Sequence, residues 1–160
     1  MRYLHLLLLV VGSVCAEDGA KAWLRYAPIT NVGNYSFLPS SVVALNDSTA
    51  SPVYTASQEL RRGIKGIFGR SISTNGTTNS SKPIIVGTVD AYKKIYGNVD
   101  GAIGLQEDGF FLSTGNDNIL ILGLNQRGAL YGAFAYLSRL AQGNFSPISI
   151  VSNPHVPIRW

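Results

Sequence analysis

Glu107 and Asp108 are the carboxylates in this chain that most resemble an acid–base pair. Cleaving a sugar bond by that chemistry needs two carboxyl groups facing each other across the bond. Neighbours on a strand point to opposite faces, and neighbours on a turn are both solvated, so this pair reads as structural. His155 is the one histidine beyond the first 16 residues, and it stands in an extended tail between Pro154 and Pro157. Without partners it makes neither a metal cluster nor a Ser-His-Asp array, and a tail or interface contact is expected. Gly123-Leu124-Asn125-Gln126-Arg127-Gly128 lies between a strand and a helix pattern, where a helix N-terminus can hold a phosphate. Its spacing fits neither the dinucleotide fingerprint nor the lysine-bearing P-loop, so it reads as a tight turn with an Asn cap. Trp23, Tyr26, Tyr35, Tyr54 and Tyr92 are candidate sugar-stacking platforms, although aromatics in a domain of this size mostly pack the core. No catalytic, cofactor-binding or metal-ligating residue is assigned, and no cofactor is expected.

These groups must be positioned by the elements that the hydrophobic pattern predicts. Ser41 to Leu45, Pro83 to Thr88, Gly109 to Thr114, Asn118 to Leu122 and Ile148 to Val151 read as strands. Gly115-Asn116-Asp117 predicts a hairpin turn between the third and fourth. Ala56, Leu60, Ile64, Ile67 and Phe68 form an apolar stripe that predicts a helix over Thr55 to Phe68, with Thr55 and Gln58 as a capping box and Gly69 as the stop. Gly63 and Gly66 weaken that helix unless they allow it to pack closely on a sheet. Asp90 is positioned to cap a short helix through Tyr96. A second long helix is predicted from Gln126 to about Ala141, capped by Asn125, with Leu130, Phe134, Leu137 and Ala141 on its apolar face and Ala133 and Leu140 beside it. Ser71 to Ser81 lacks apolar periodicity and reads as a mobile surface loop. The sum is an α+β fold, a two-layer sandwich of a mixed sheet with two main helices on one face.

The first residues read as a secretory leader. Arg2 is a positive start, Leu4 to Val11 is an apolar run broken only by His5, and Val14-Cys15-Ala16 is a small-residue cleavage site. The run falls well short of the ~20 apolar residues that span a bilayer, so a cut between Ala16 and Glu17, secretion and no membrane attachment are expected. Removing 16 of the 160 residues leaves 144, enough for one domain with its own core. Cys15 is the only cysteine, so the chain beyond the leader can be neither a disulfide scaffold nor a thiol enzyme. The net charge of +4 is mild and scattered; Arg61, Arg62 and Lys65 share a helix and Lys93 and Lys94 are adjacent, which is no nucleic-acid stripe. Five glycosylation sequons, at Asn34, Asn46, Asn75, Asn79 and Asn144, fit a secretory glycoprotein.

Several stretches, taken in order, resemble the N-terminal domain of fungal α-glucuronidases of glycoside hydrolase family 67. They are Glu17-Asp18-Gly19 with Ala22-Trp23-Leu24-Arg25-Tyr26-Ala27; Ser51-Pro52-Val53-Tyr54-Thr55-Ala56 running into Gly63-Ile64-Lys65-Gly66-Ile67-Phe68-Gly69; Ile85-Val86-Gly87-Thr88; Glu107-Asp108-Gly109-Phe110; Arg127-Gly128-Ala129-Leu130-Tyr131-Gly132-Ala133-Phe134; and Asn153-Pro154-His155 with Pro157-Ile158-Arg159-Trp160. The resemblance implies a secreted enzyme that removes 4-O-methyl-glucuronic acid from glucuronoxylan fragments. It implies that this α+β domain precedes a catalytic (β/α)8 barrel, its partner, which holds the acid and base and through which alone a xylan-derived oligosaccharide is met. None of the family's catalytic carboxylates has a counterpart in these 160 positions, so this chain alone is expected to be inactive. The domain plan is then residues 1–16 as leader, 17–152 as the α-glucuronidase-type domain and 153–160 as the start of the linker to the barrel. An exposed apolar interface is expected where the barrel would pack. A free carbohydrate-binding module, which needs an exposed aromatic row, and a small competent hydrolase are the alternatives.

Overall fold

The computed structural model describes residues 26–29, 38–46, 48–73 and 82–155. The leader with Ala16 and Glu17, and the sequons at Asn34, Asn75 and Asn79, lie outside the described residues. The elements in chain order are β1 Ser41–Ala44, α1 Pro52–Phe68, β2 Pro83–Thr88, α2 Val89–Tyr96, β3 Phe110–Thr114, β4 Ile119–Gly123, α3 Gln126–Ala141 and β5 Ser149–Ser152. The strands form one mixed sheet in the order β1-β2-β4-β3-β5. β1, β2 and β4 are parallel, and β3 runs antiparallel to both β4 and β5. The expected α+β class and single helical face hold: α1 and α3 pack on each other and on the same side of the sheet. Both are crossovers between strands that run the same way, and the right-handed rule for such connections puts them on one side.

Alternation along the strands divides the core. Ile84, Val86, Leu112, Ile119 and Ile121 point to α1 and α3. Phe111, Leu120 and Leu122 point to the other side, where Val89 and Tyr92 of α2 and the 97–109 connection form a smaller cluster. Each such side chain, fully buried, contributes about 1.5–3 kcal/mol, so the period-two pattern fixes the register: a slip of one residue would exchange the two clusters.

Three local expectations are corrected. α1 begins at Pro52, not Thr55: the Ser51 hydroxyl accepts from the Val53 N–H at 3.1 Å, and the Thr55 N–H already donates to the Ser51 carbonyl. Proline at the first helical position lacks only an N–H that has no partner there, so it opens this helix instead of preventing it. α2 is capped by Thr88, whose hydroxyl accepts from the Ala91 N–H at 3.2 Å; Asp90 sits in the first turn, at the positive end of the helix dipole. In α3, capped by Asn125 as expected, the buried side is Gly128, Ala129, Gly132, Ala133, Tyr136, Leu137 and Leu140, whereas Ala141 is exposed and Leu130 and Phe134 are half-buried. Small residues let the α3 backbone approach the sheet, so the buried stripe is not the stripe of largest residues.

The glycines of α1 also act differently from expectation. They meet Leu137 of α3 and Tyr26, not the sheet: a Cβ on Gly63 would lie 2.5 Å from Leu137 Cδ2, and one on Gly66 2.8 Å from Tyr26 Cβ. The polar stretch from Ser71 is partly fastened as well. Ile72 is buried in the core and Ser73 bridges to Ser41, while 74–81 lie outside the described residues.

A methyl group on Gly132 would press on Ile121 Cγ2 at 2.8 Å and Phe110 Cβ at 3.2 Å. Gly132→Ala should therefore lower the unfolding free energy by about 1–3 kcal/mol, although on an open helix face the same change gains about 1 kcal/mol. Urea denaturation reads the difference, and a net gain in stability would show that the helix has room to spare.

Candidate functional site

In open sheets of parallel strands, ligands bind beyond the carboxyl ends of the strands. β5 is antiparallel to β3, as β4 is, so β1, β2, β4 and β5 all end on the same side. There the three helix caps Ser51, Thr88 and Asn125 gather, together with the 97–109 connection and the chain's exit from β5 at Asn153. Glu107 and Asp108 lie in this region.

The two carboxylates are tied into an ion cluster. Asp108 Oδ1 accepts from Asn125 Nδ2 at 2.7 Å and from Arg127 Nε at 2.9 Å, and Glu107 Oε1 accepts from Arg127 Nη2 at 3.4 Å. The β3–β4 register explains the meeting. Phe110 is opposite Gly123, so the residues just before β3 stand beside those just after β4. Asn125 works at both ends, since its Oδ1 accepts from the Gly128 N–H at 2.8 Å while its amide donates to Asp108. Asp108 has φ +61°, a left-handed backbone that aspartate tolerates better than most residues. A Cβ on Gly128 would collide with the Gly109 carbonyl oxygen, so only glycine lets the two turns touch. The hydrogen bond and charge of Asp108 hold the Arg127 guanidinium above its ordinary pKa. The pair therefore faces one arginine instead of opposing itself across a gap, and reads as a structural clasp.

Two further bonds enlarge the cluster. Ser51 Oγ donates to Gln126 Oε1 at 2.8 Å and joins the starts of α1 and α3. Asn153 Oδ1 accepts from the Gln106 N–H and Asn153 Nδ2 donates to the Gly104 carbonyl, both at 2.9 Å. Sequence reasoning singled out the Glu-Asp-Gly and Asn-Gln-Arg-Gly turns separately and missed their pairing. Counting outward from the hairpin turn at 115–117 places Asp108 level with Asn125, and that is the signal that finds it.

The remaining candidates are not brought together. Tyr26 packs beside α1, and Tyr92 lies across the sheet, its ring 4.9 Å from that of Tyr96; Trp23 and Tyr35 are outside the described residues. Tyr26 and Tyr92 therefore cannot share a flat stacking row. Burial, the Glu59 charge and a 3.5 Å hydrogen bond to Glu59 push the Tyr26 hydroxyl up to about 12 against the opposing effect of Arg62, and burial raises that of Tyr136 as well. His155 is exposed beyond β5. Asn46 Oδ1 accepts from the Ser48 N–H at 3.1 Å in an Asx turn, and exposed Asn144 accepts from Arg139 at 3.0 Å. Arg61 is held by Gln58 at 3.3 Å and Arg62 by Glu59 at 3.3 Å, on the outer side of α1. Among the described residues, no three His, Cys, Asp or Glu side chains converge as metal ligands, and no helix is long and apolar enough to cross a membrane.

Asn125→Ala should cost about 1–2 kcal/mol, the upper part of the range for a lost cap, because the Asp108 partner goes too. Asn125→Asp keeps the capping oxygen but sets a second negative charge against Asp108, and at neutral pH it should recover little of that loss; full recovery in thermal unfolding would mean the contact is idle. Tyr26 supplies a pH test. Its folded pKa exceeds the unfolded value of 10, so its contribution is intact below pH 10 and is lost as pH rises towards about 12. Tyr26→Phe should flatten part of the fall in stability across that window, and an unchanged profile would remove Tyr26 from the account.

The family sequence model described as the glycosyl hydrolase family 67 N-terminus matches residues 22–136. Alpha-glucuronidase A of Emericella nidulans is 47% identical over 165 residues, an alignment covering 100% of this chain and 20% of that protein. A probable alpha-glucuronidase A of Aspergillus fumigatus is 47% identical over 96% of this chain and 19% of its own length. Alpha-glucuronidase of Hypocrea jecorina is 44% identical over 98% of this chain and 19% of its own length. This chain thus spans about a fifth of the length of the curated relatives it matches. The match runs through the segments that build the clasp and the α3 packing, and the chain belongs to the glycosyl hydrolase family 67 N-terminal domains.

Proposed function

We propose that this chain is the non-catalytic leading domain of a secreted α-glucuronidase that removes 4-O-methyl-glucuronic acid from glucuronoxylan fragments. Its work is to pack against and steady the catalytic domain, a (β/α)8 barrel. The observation that carries this reading is the 47% identity along the whole chain to an α-glucuronidase five times its length. The ion cluster agrees with it: Glu107 and Asp108 are occupied by Arg127, leaving no opposed pair for acid–base work there. The cleft beneath the 144–147 turn, lined by Lys82, Thr114, Tyr136, Arg139 and Phe145, offers about 50 Å³, and the larger, open hollow on the outer side of α1, about 310 Å³, is lined by Gln58, Arg61, Arg62, Lys65, Ser71 and Ile72 and holds no carboxylate. Secretion rests on the charged start, apolar run and small-residue site ending at Ala16, together with the five sequons.

Purified 160-residue protein incubated with methylglucurono-xylooligosaccharides should release no methylglucuronic acid under conditions in which the Emericella nidulans enzyme does. Release by this chain would establish a hydrolase and overturn the reading. Saturable binding of the same oligosaccharides by this chain, without release, would replace it with a carbohydrate-binding module.

A further inference from the structure

We propose that the surface around the chain's exit from the sheet, made by Ile103, Glu107, Leu124, Arg127 and Tyr131, is where the catalytic domain of the longer α-glucuronidase docks. The proposal rests on the reading given under Proposed function and says which face that partner takes. Five contacts gather these residues into one place. Asn153, the first residue beyond β5, holds Gly104 and Gln106, the neighbours of Ile103 and Glu107. The Leu124 N–H donates to the Gly109 carbonyl at 3.2 Å, bringing the turn before α3 to the same loop. Arg127 reaches Glu107 and Asp108, and Tyr131 follows Arg127 by one helical turn.

Three of these side chains are large, apolar and exposed. Ile103 is 83% exposed, Leu124 46% and Tyr131 38%. Ile150 and Val151 are also exposed, on the strand that leads to the exit. Among the described residues, the other large exposed apolar side chains are Ile95 and Tyr96 at the end of α2. Exposed apolar groups set among charges of both signs, here Glu107 and Arg127, have the composition of an interface with a polar rim. The clasp has already ordered the loops that carry them, so docking loses little conformational entropy. In the longer proteins that this chain matches, a domain that follows this one is tethered through Asn153, which is bound beside this surface, and so meets it at a raised effective concentration.

The test compares hydrogen exchange in two proteins as they exist: this 160-residue chain, and the intact Emericella nidulans enzyme at the positions aligned with it. Amides aligned with 103–109 and 124–131 should exchange at least about tenfold more slowly in the intact enzyme, a protection of about 1.4 kcal/mol, while those aligned with 92–97 match the isolated chain. Protection confined to 92–97 would overturn the surface assignment and leave the proposed function standing. No protection anywhere in the domain would overturn both. Sedimentation velocity of the isolated chain should read a monomer. A dimer abolished by Leu124→Glu but not by Ile95→Glu would assign the surface to a second copy of this chain and overturn the proposal.

Discussion

The closeness of α3 to the sheet is the constraint on which the rest of this domain depends. Gly128 lies against the Gly109 carbonyl, Gly132 against Ile121 and Phe110, and a side chain on Gly123 would collide with the Ala129 backbone nitrogen. A helix with a face this poor in large side chains gains little from area alone. Close approach compensates, because dispersion contacts between backbone and side chain fall off steeply with distance. The larger residues Tyr136, Leu137 and Leu140 then complete the core against α1.

The polar clasp depends on that seat. Once Gly128 touches Gly109, the turn before β3 and the turn after β4 lie side by side, and Asp108 meets Asn125 and Arg127. Exposed ion pairs contribute little to stability by themselves. Their value here is geometric: the cluster fixes the left-handed turn at Asp108 and the start of α3, and Asn153 extends the same order to the chain's exit. One end of the sheet is thereby rigid and carries apolar groups in water, a combination suited to packing against another domain.

Much of the fold is legible in the sequence because local and long-range signals agree. The apolar run from Pro83 to Thr88 is a buried strand with those bounds, and Asn125 caps α3 as its type and place predict. Where sequence and structure part, one residue carries two meanings. The Thr55 and Gln58 spacing reads as a capping box and pushes the expected start to Thr55, although Ser51 is the cap and Pro52 suits the first helical turn. On α3, Leu130 and Phe134 outweigh Gly128, Gly132 and Ala133 on any hydropathy count, yet the smaller residues face the core because only they let the backbones meet. The clasp joins residues 17 and 19 apart in sequence and emerges only when the hairpin register is drawn.

If the glycine seat of α3 organises the domain, its backbone should open only when the whole domain does. Native-state hydrogen exchange of the 160-residue chain measures this directly. The amides of Ala129 to Leu137 and of Ile119 to Gly123 should exchange at the global unfolding free energy, while those of α2 exchange through smaller local openings. Exchange of the α3 amides through local opening, well below the global value, would contradict the account.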